Sequence, residues 1–134
     1  MSALTTADRL AIHETLHRYC HCIDRGRWDE FATLFTDDCR LDLSPVLSVY
    51  DGAAGIRQFA DFISGAGLFM RHMLTNVIVD GDGARAHAQS YVLALTGAPG
   101  RTQQATGMYD DQLVKQGDRW LLRSRKALFD MPAA

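Results

Sequence analysis

The stretch RHMLTNVIVDGDGARAHAQSYVLAL, residues 71–95, decides how the chain must fold. On either side of DGDG at 80–83, apolar and polar residues alternate with a period of two, which sends successive side chains to opposite faces of a strand. Asp-Gly pairs supply the positive backbone angles that a tight hairpin demands. Two long strands joined by a short turn are expected, with His72, Leu74, Asn76 and Ile78 on one face of the first. Further on, APGR at 98–101 reads as a looser turn. TQQATGMYDDQLVK and RWLLRSRKALF then form a second hairpin across QGD at 116–118. The C-terminal half is an antiparallel four-strand meander.

Upstream the period lengthens. Thr5, Thr6 and Asp8 are candidate N-caps for a helix whose apolar positions, Ile12, Leu16, Tyr19, Cys20 and Ile23, follow the 3-4 spacing of one buried stripe. Gly26 ends it. Asp29 opens a short second helix in which Phe31, Leu34 and Phe35 share a side. TDD at 36–38 reads as a turn and CRLDL at 39–43 as a strand. A loop holding Pro45 and Gly52 leads to a third helix over 53–64, with Ile56, Phe59 and Ile63 inward. Helices, one strand, a helix and then a meander make an α+β arrangement, helices packed on one face of a curved sheet. No linker divides it, so one domain over 1–134 is expected.

Composition excludes several function classes. At 134 residues the chain can bury a real core, and its hydrophobic fraction of 47% and charged fraction of 22% are those of an ordinary globular protein. A net charge of −2 gives no electrostatic reason to expect nucleic acid or an anionic membrane as partner. No apolar run is long enough to span a bilayer. The first residues lack an apolar signal core, and three cysteines, an odd number, read as reduced thiols. A cytoplasmic location is expected.

Histidines recur at 13, 17 and 21, with Cys20, Cys22 and Asp24 among them. Residues i and i+4 on a helix can share a metal ion, but i+8 lies about 12 Å up the axis. All three cannot meet at one ion; a two-His pair with Asp24 is the remaining metal reading, but no HExxH or CxxC pattern supports it, and no metal is expected. Boundary histidines on an amphipathic helix explain the ladder. Asp24 is different, because a carboxylate beside an apolar stripe needs a partner. His72 heads an otherwise apolar strand row and can meet the C-terminal end of the first helix. A carboxylate on one imidazole nitrogen fixes the tautomer and leaves the other nitrogen free to take a proton. Asp24 and His72 therefore make a candidate general base; a satisfied core histidine is the alternative.

RYCHCIDRGRWDEFATLFTDDCRLDL at 18–43, a Gly52-to-Phe59 helix start, RHMLTNVIVDGDGARAHAQSYV at 71–92 and GMYDDQLVKQGDRWLLRSRKALFD at 107–130 together resemble the SnoaL-like domain. That domain belongs to the nuclear transport factor 2-like superfamily, and the likeness is to its scytalone dehydratase-like branch. The resemblance implies a cystatin-like, cone-shaped α+β barrel: three helices on a strongly curved, mainly antiparallel sheet around an apolar pocket. Asp24 and His72 match the aspartate and histidine with which dehydratases and a dehydrochlorinase of that branch remove a proton from carbon. Tyr19 falls where related ketosteroid isomerases hold an oxyanion, or it simply extends the apolar stripe. Their catalytic base would align at Leu43, one residue from Asp42, and their second acid near Gly107, so the isomerase pattern is not kept. The tyrosine that precedes the dehydratase aspartate is Ile23 here. Tyr91 and Tyr109 can orient a substrate oxygen or serve as core or rim aromatics. Arg125 sits where several members keep an arginine; it can stabilise a leaving anion or a substrate carboxylate, or face solvent paired with Asp110 or Asp111.

The expected function is a cofactor-independent lyase, a dehydratase or dehydrohalogenase, acting on a small apolar or aromatic molecule. Leu16, Phe35, Phe59, Phe62, Phe69, Met73 and Leu74 are the candidate pocket walls. An isomerase or polyketide cyclase would use the same pocket. A non-catalytic alternative is a small-ligand binder or scaffold like the small subunit of ring-hydroxylating dioxygenases. The superfamily implies a homo-oligomer, a dimer or trimer.

Overall fold

The computed structural model describes residues 3–130. The helix α1, Thr6–Arg25, starts where the capping signals place it. Thr5 Oγ1 accepts the Asp8 N–H at 3.0 Å while Asp8 Oδ2 accepts the Thr5 N–H at 3.1 Å, a reciprocal capping box. Gly26, with φ of 66°, closes the helix in the left-handed conformation that only glycine adopts without cost. Ile12, Leu16, Tyr19, Cys20 and Ile23 are all buried, so the stripe read from spacing is the face laid on the sheet. Asp8 fixes that docking further: its Oδ1 accepts from Lys115 Nζ at 3.0 Å and Trp120 Nε1 at 3.1 Å.

The other elements follow in chain order: α2, Trp28–Ala32; β1, Phe35–Asp42; β2, Val49–Asp51; α3, Gly52–Ala66; β3, Phe69–Gly81; β4, Arg85–Ala98; β5, Arg101–Gln116; and β6, Arg119–Phe129. The six strands form one sheet in the order β2-β1-β6-β5-β4-β3. The meander is present as expected, β3 to β6 each antiparallel to the next. Two features were not expected. Strand β2 forms in the stretch read as a loop, pairing antiparallel with β1, and β1 itself runs parallel to β6. The architecture is α+β, three helices on a mostly antiparallel sheet. Among the described residues no helix is long and apolar enough to cross a membrane.

The expected turn at Thr36–Asp38 is corrected by the structure: these residues lie inside β1. Phe35 pairs with Leu122 and Arg40 with Ser124, so five steps of β1 match two of β6. The turn-forming residues are taken up as a bulge, with Thr36 Oγ1 donating to Asp38 Oδ1 at 2.8 Å. A second bulge corrects the strand-face reading of β3. The register shifts between Thr75 and Ile78, and Asn76 has a φ of 55°. Inward positions are Met70, His72 and Leu74 before the shift and Val77 and Val79 after it, leaving Ile78 exposed on the outer face.

Candidate active site

Asp24, in the last turn of α1, and His72, early in β3, meet. Asp24 Oδ1 is 2.6 Å from His72 Nδ1, and Asp24 Oδ2 accepts the His72 main-chain N–H at 2.8 Å. Both side chains are nearly enclosed, 9% and 13% exposed. The α1 stripe carries the aspartate to this point, and the inward parity of β3 carries the histidine. In the neutral ring, an Nδ1–H donated to this carboxylate leaves Nε2 with its lone pair.

His72 lines a cavity of about 510 Å3, within the range of small-molecule sites. Its walls are hydrocarbon and aromatic, from Ile23 of α1, Phe59, Phe62 and Ile63 of α3, Met70 of β3 and Phe129 of β6 among others. Among the described residues only Tyr19, His72, Thr96, Tyr109 and Asp130 give it polar side chains. Of the walls named from sequence, Phe59 and Phe62 line it. Leu16 and Phe35 are packed in the core instead, and Leu74 lies against it. Phe69 and Met73 are exposed on the outer sheet face, because their odd position in β3 points them away from His72. Leu43, Val46 and Leu47 were missed; they sit in the loop after β1, where no periodicity marks an inward residue. Lys126 Nζ pins that loop, donating to Asp42 Oδ1 at 3.1 Å and the Ser44 carbonyl at 2.7 Å. Met70 shares the His72 parity and was legible by alternation.

The remaining candidates divide. Tyr19 and Tyr109 are buried and line the cavity. Tyr91 does not: it is 52% exposed, paired with Thr75 and Met108 on the outer face of the sheet, so its place as a substrate-orienting residue is corrected. Arg125 is corrected twice. It is neither solvent-facing nor at the cavity surface, but wholly buried, its Nε and Nη2 bonded to the two Asp111 oxygens at 2.8 and 2.9 Å. Its guanidinium carbon lies 4.1 Å from the Tyr19 ring centre and 3.8 Å from that of Tyr109. Asp111 holds it inward because a carboxylate and a guanidinium satisfy each other's hydrogen bonds in a fork. In the histidine ladder, His13 and His17 lie edge to face with ring centres 6.2 Å apart. No three His, Cys, Asp or Glu side chains among the described residues converge as metal ligands.

Residues 5–126 match the SnoaL-like domain. The chain belongs to that family. An uncharacterised Mycobacterium tuberculosis protein is 29% identical over 128 residues, 93% of this chain and 87% of its own. Among solved structures, a candidate aromatic ring hydroxylase from Novosphingobium aromaticivorans is 31% identical with a TM-score of 0.82, over 93% of this chain and 90% of that one. A candidate scytalone dehydratase from the same organism is 22% identical with a TM-score of 0.81, over 92% and 85%. A protein from Nostoc punctiforme with a cystatin-like fold is 22% identical with a TM-score of 0.83, over 97% and 96%. The last two likenesses establish the fold.

At the positions that the resemblance aligns with the steroid isomerase acids stand Leu43 and Gly107. Leu43 places hydrocarbon in the cavity, and Asp42 is occupied by Ser44 and Lys126. A Cβ on Gly107 would stand 2.7 Å from the Leu128 carbonyl oxygen, so no acidic side chain fits there while β5 and β6 stay paired.

Proposed function

We propose that this SnoaL-like protein is a cofactor-independent lyase of the dehydratase or dehydrohalogenase type. It acts on a small apolar or aromatic molecule, with Asp24–His72 as its base. The single observation that carries this reading is the 2.6 Å contact between Asp24 Oδ1 and His72 Nδ1 at the wall of a cavity of about 510 Å3. His72 Nε2 takes a proton from carbon, and the electron pair of that C–H bond forms a double bond as a group leaves the neighbouring carbon. Asp24 holds the ring and stabilises the imidazolium. The hydrocarbon walls exclude water, which keeps the base strong and the intermediate from side reactions. The likeness to a candidate scytalone dehydratase supports the fold needed for this, and an isomerisation would use the same proton abstraction.

The outer sheet face exposes Phe69, Met73, Ile78, Tyr91 and Leu128, which supports a homo-oligomer in solution. The chemical test needs no knowledge of the natural substrate. Nitrobenzisoxazole opens to a coloured cyanophenolate when a base removes its carbon-bound proton and the N–O bond breaks. Wild-type protein is expected to accelerate this opening, and Asp24→Asn and His72→Ala to lose the acceleration while remaining folded. Full acceleration by both variants would remove the dyad from the mechanism.

A further inference from the structure

The cavity that His72 lines adjoins a second recess. Leu68 and Thr96 border both it and a groove of about 230 Å3, whose other borders are Gly97, Ala98, Arg101 and Gln103. Strand register explains why the two are continuous, since directly paired residues of neighbouring strands share one face of a sheet. His72 pairs with Ala94 and Ala94 with Ala105, and all three line the cavity. Two residues further out the row is Met70, Thr96 and Gln103, and two further still the β4–β5 hairpin adds Ala98 and Arg101. Successive rows at a spacing of two keep the same, inward face. From the His72 row the floor thus changes from alanine through threonine and glutamine to an arginine. The distance is four residues of strand, about 13 Å.

Arg101 is the only lysine or arginine among the described residues that border the cavity or the groove. It is exposed, and no carboxylate among the described residues pairs with it. Asp130, a carboxylate bordering the cavity, has its Oδ2 bonded to Thr106 Oγ1 at 2.7 Å. An anion drawn into the hydrocarbon cavity loses its hydration and meets no cation there. At Arg101 it keeps water and gains a charge-assisted hydrogen bond.

We propose that this groove is a specificity subsite: the substrate is an apolar acid whose hydrocarbon head enters the cavity and whose chain runs along the β4–β5 hairpin to a carboxylate at Arg101. This rests on reading the cavity as the substrate site, and it narrows the class of molecule that the site takes. One guanidinium offers one planar fork, which matches a singly charged carboxylate; the second charge of a phosphate has no second cation beside it.

The test uses naphthalene-alkanoic acids of increasing chain length and their methyl esters, with affinity read from the naphthalene fluorescence at low ionic strength. Short acids are expected to bind no better than their esters. Once the chain spans the groove, the acid should bind about fivefold tighter than its ester, the upper range for one exposed charge pair. Arg101→Gln should erase that preference. Ala98→Phe, which obstructs the groove and keeps the cation, should weaken the long acid relative to naphthalene itself. Both positions are exposed near the hairpin turn, so the fold is expected to survive, as circular dichroism checks. A wild-type acid-to-ester ratio in Arg101→Gln overturns the role of Arg101. A ratio near one at every length overturns the anionic end group, and a preference that ignores chain length, or an unaffected Ala98→Phe, overturns the groove. Every readout is binding, so a failure of the base shows itself separately, as absent nitrobenzisoxazole opening with the length-dependent preference still present.

Discussion

Asp24 holds His72 twice, through Nδ1 at 2.6 Å and through the main-chain N–H at 2.8 Å. The second bond ties the strand as well as the ring to the carboxylate, which holds Asp24 in the orientation that meets Nδ1. Asp24→Asn keeps the shape but replaces an acceptor-only group with one that also donates. The ring then loses its fixed tautomer and its counter-charge. The expected loss in proton-abstraction rate is about 10²–10⁴-fold, measured as initial rates of nitrobenzisoxazole opening.

Filling the cavity should abolish binding without unfolding. Ala94 is buried on β4 and lines the cavity wall. Ala94→Phe occupies the space a ligand would take and adds apolar contact. An environment-sensitive fluorescent dye should bind wild type and lose its enhancement in the variant, with the far-ultraviolet circular dichroism unchanged.

The buried ion pair should be fragile to one-sided removal. Asp111→Ala leaves the Arg125 guanidinium enclosed and unpaired, an expected loss of about 3–5 kcal/mol in unfolding free energy. Urea titration reads this directly. Removing both charges together should cost far less.

Asp8 should make folding acid-sensitive. Its carboxyl is held well below the usual carboxylate range, first by the Thr5 N–H, then by Lys115 and Trp120. An unfolded aspartate titrates near about 4. A folded value below that means the stabilisation is fully present above pH of about 4 and is lost as the pH falls toward the folded value. Asp8→Asn should lower the melting temperature at neutral pH and flatten its decline below about pH 4, as followed by thermal denaturation across pH.

The β3 bulge should depend on the residue at 76. With φ of 55°, Asn76 occupies a region that β-branched side chains resist. Asn76→Val is expected to cost about 1–2 kcal/mol, and Asn76→Gly to be tolerated. Thermal melts of the two variants decide it.

Much of this was legible because it is local. The capping box at Thr5 and Asp8, the glycine stop at Gly26 and the alternation around DGDG each act within a few residues, and each appears in the structure where the chain signals it. The bulges were not legible, since they exist only relative to a partner strand. TDD at 36–38 has turn chemistry whether it turns the chain or bulges β1 against β6. The slip near Asn76 reverses which residues of β3 face inward, and so misplaced Ile78 while leaving His72 correct. Tyr91 failed for a related reason: a strand aromatic has two faces to choose from, and only pairing with β3 and β5 selects one.

The sequence by itself determined the order of the helices and of every strand but β2, the buried stripe of α1 and the two residues proposed as a base, because hydrophobic period, caps and turns are written in neighbours. Only the tertiary structure decided that Asp24 reaches a histidine 48 residues away, that Arg125 turns inward to Asp111, and which hydrocarbon residues enclose a void. Those are contacts between segments remote in the chain. Their geometry is fixed by how the helices lie on the sheet, and no local pattern records that.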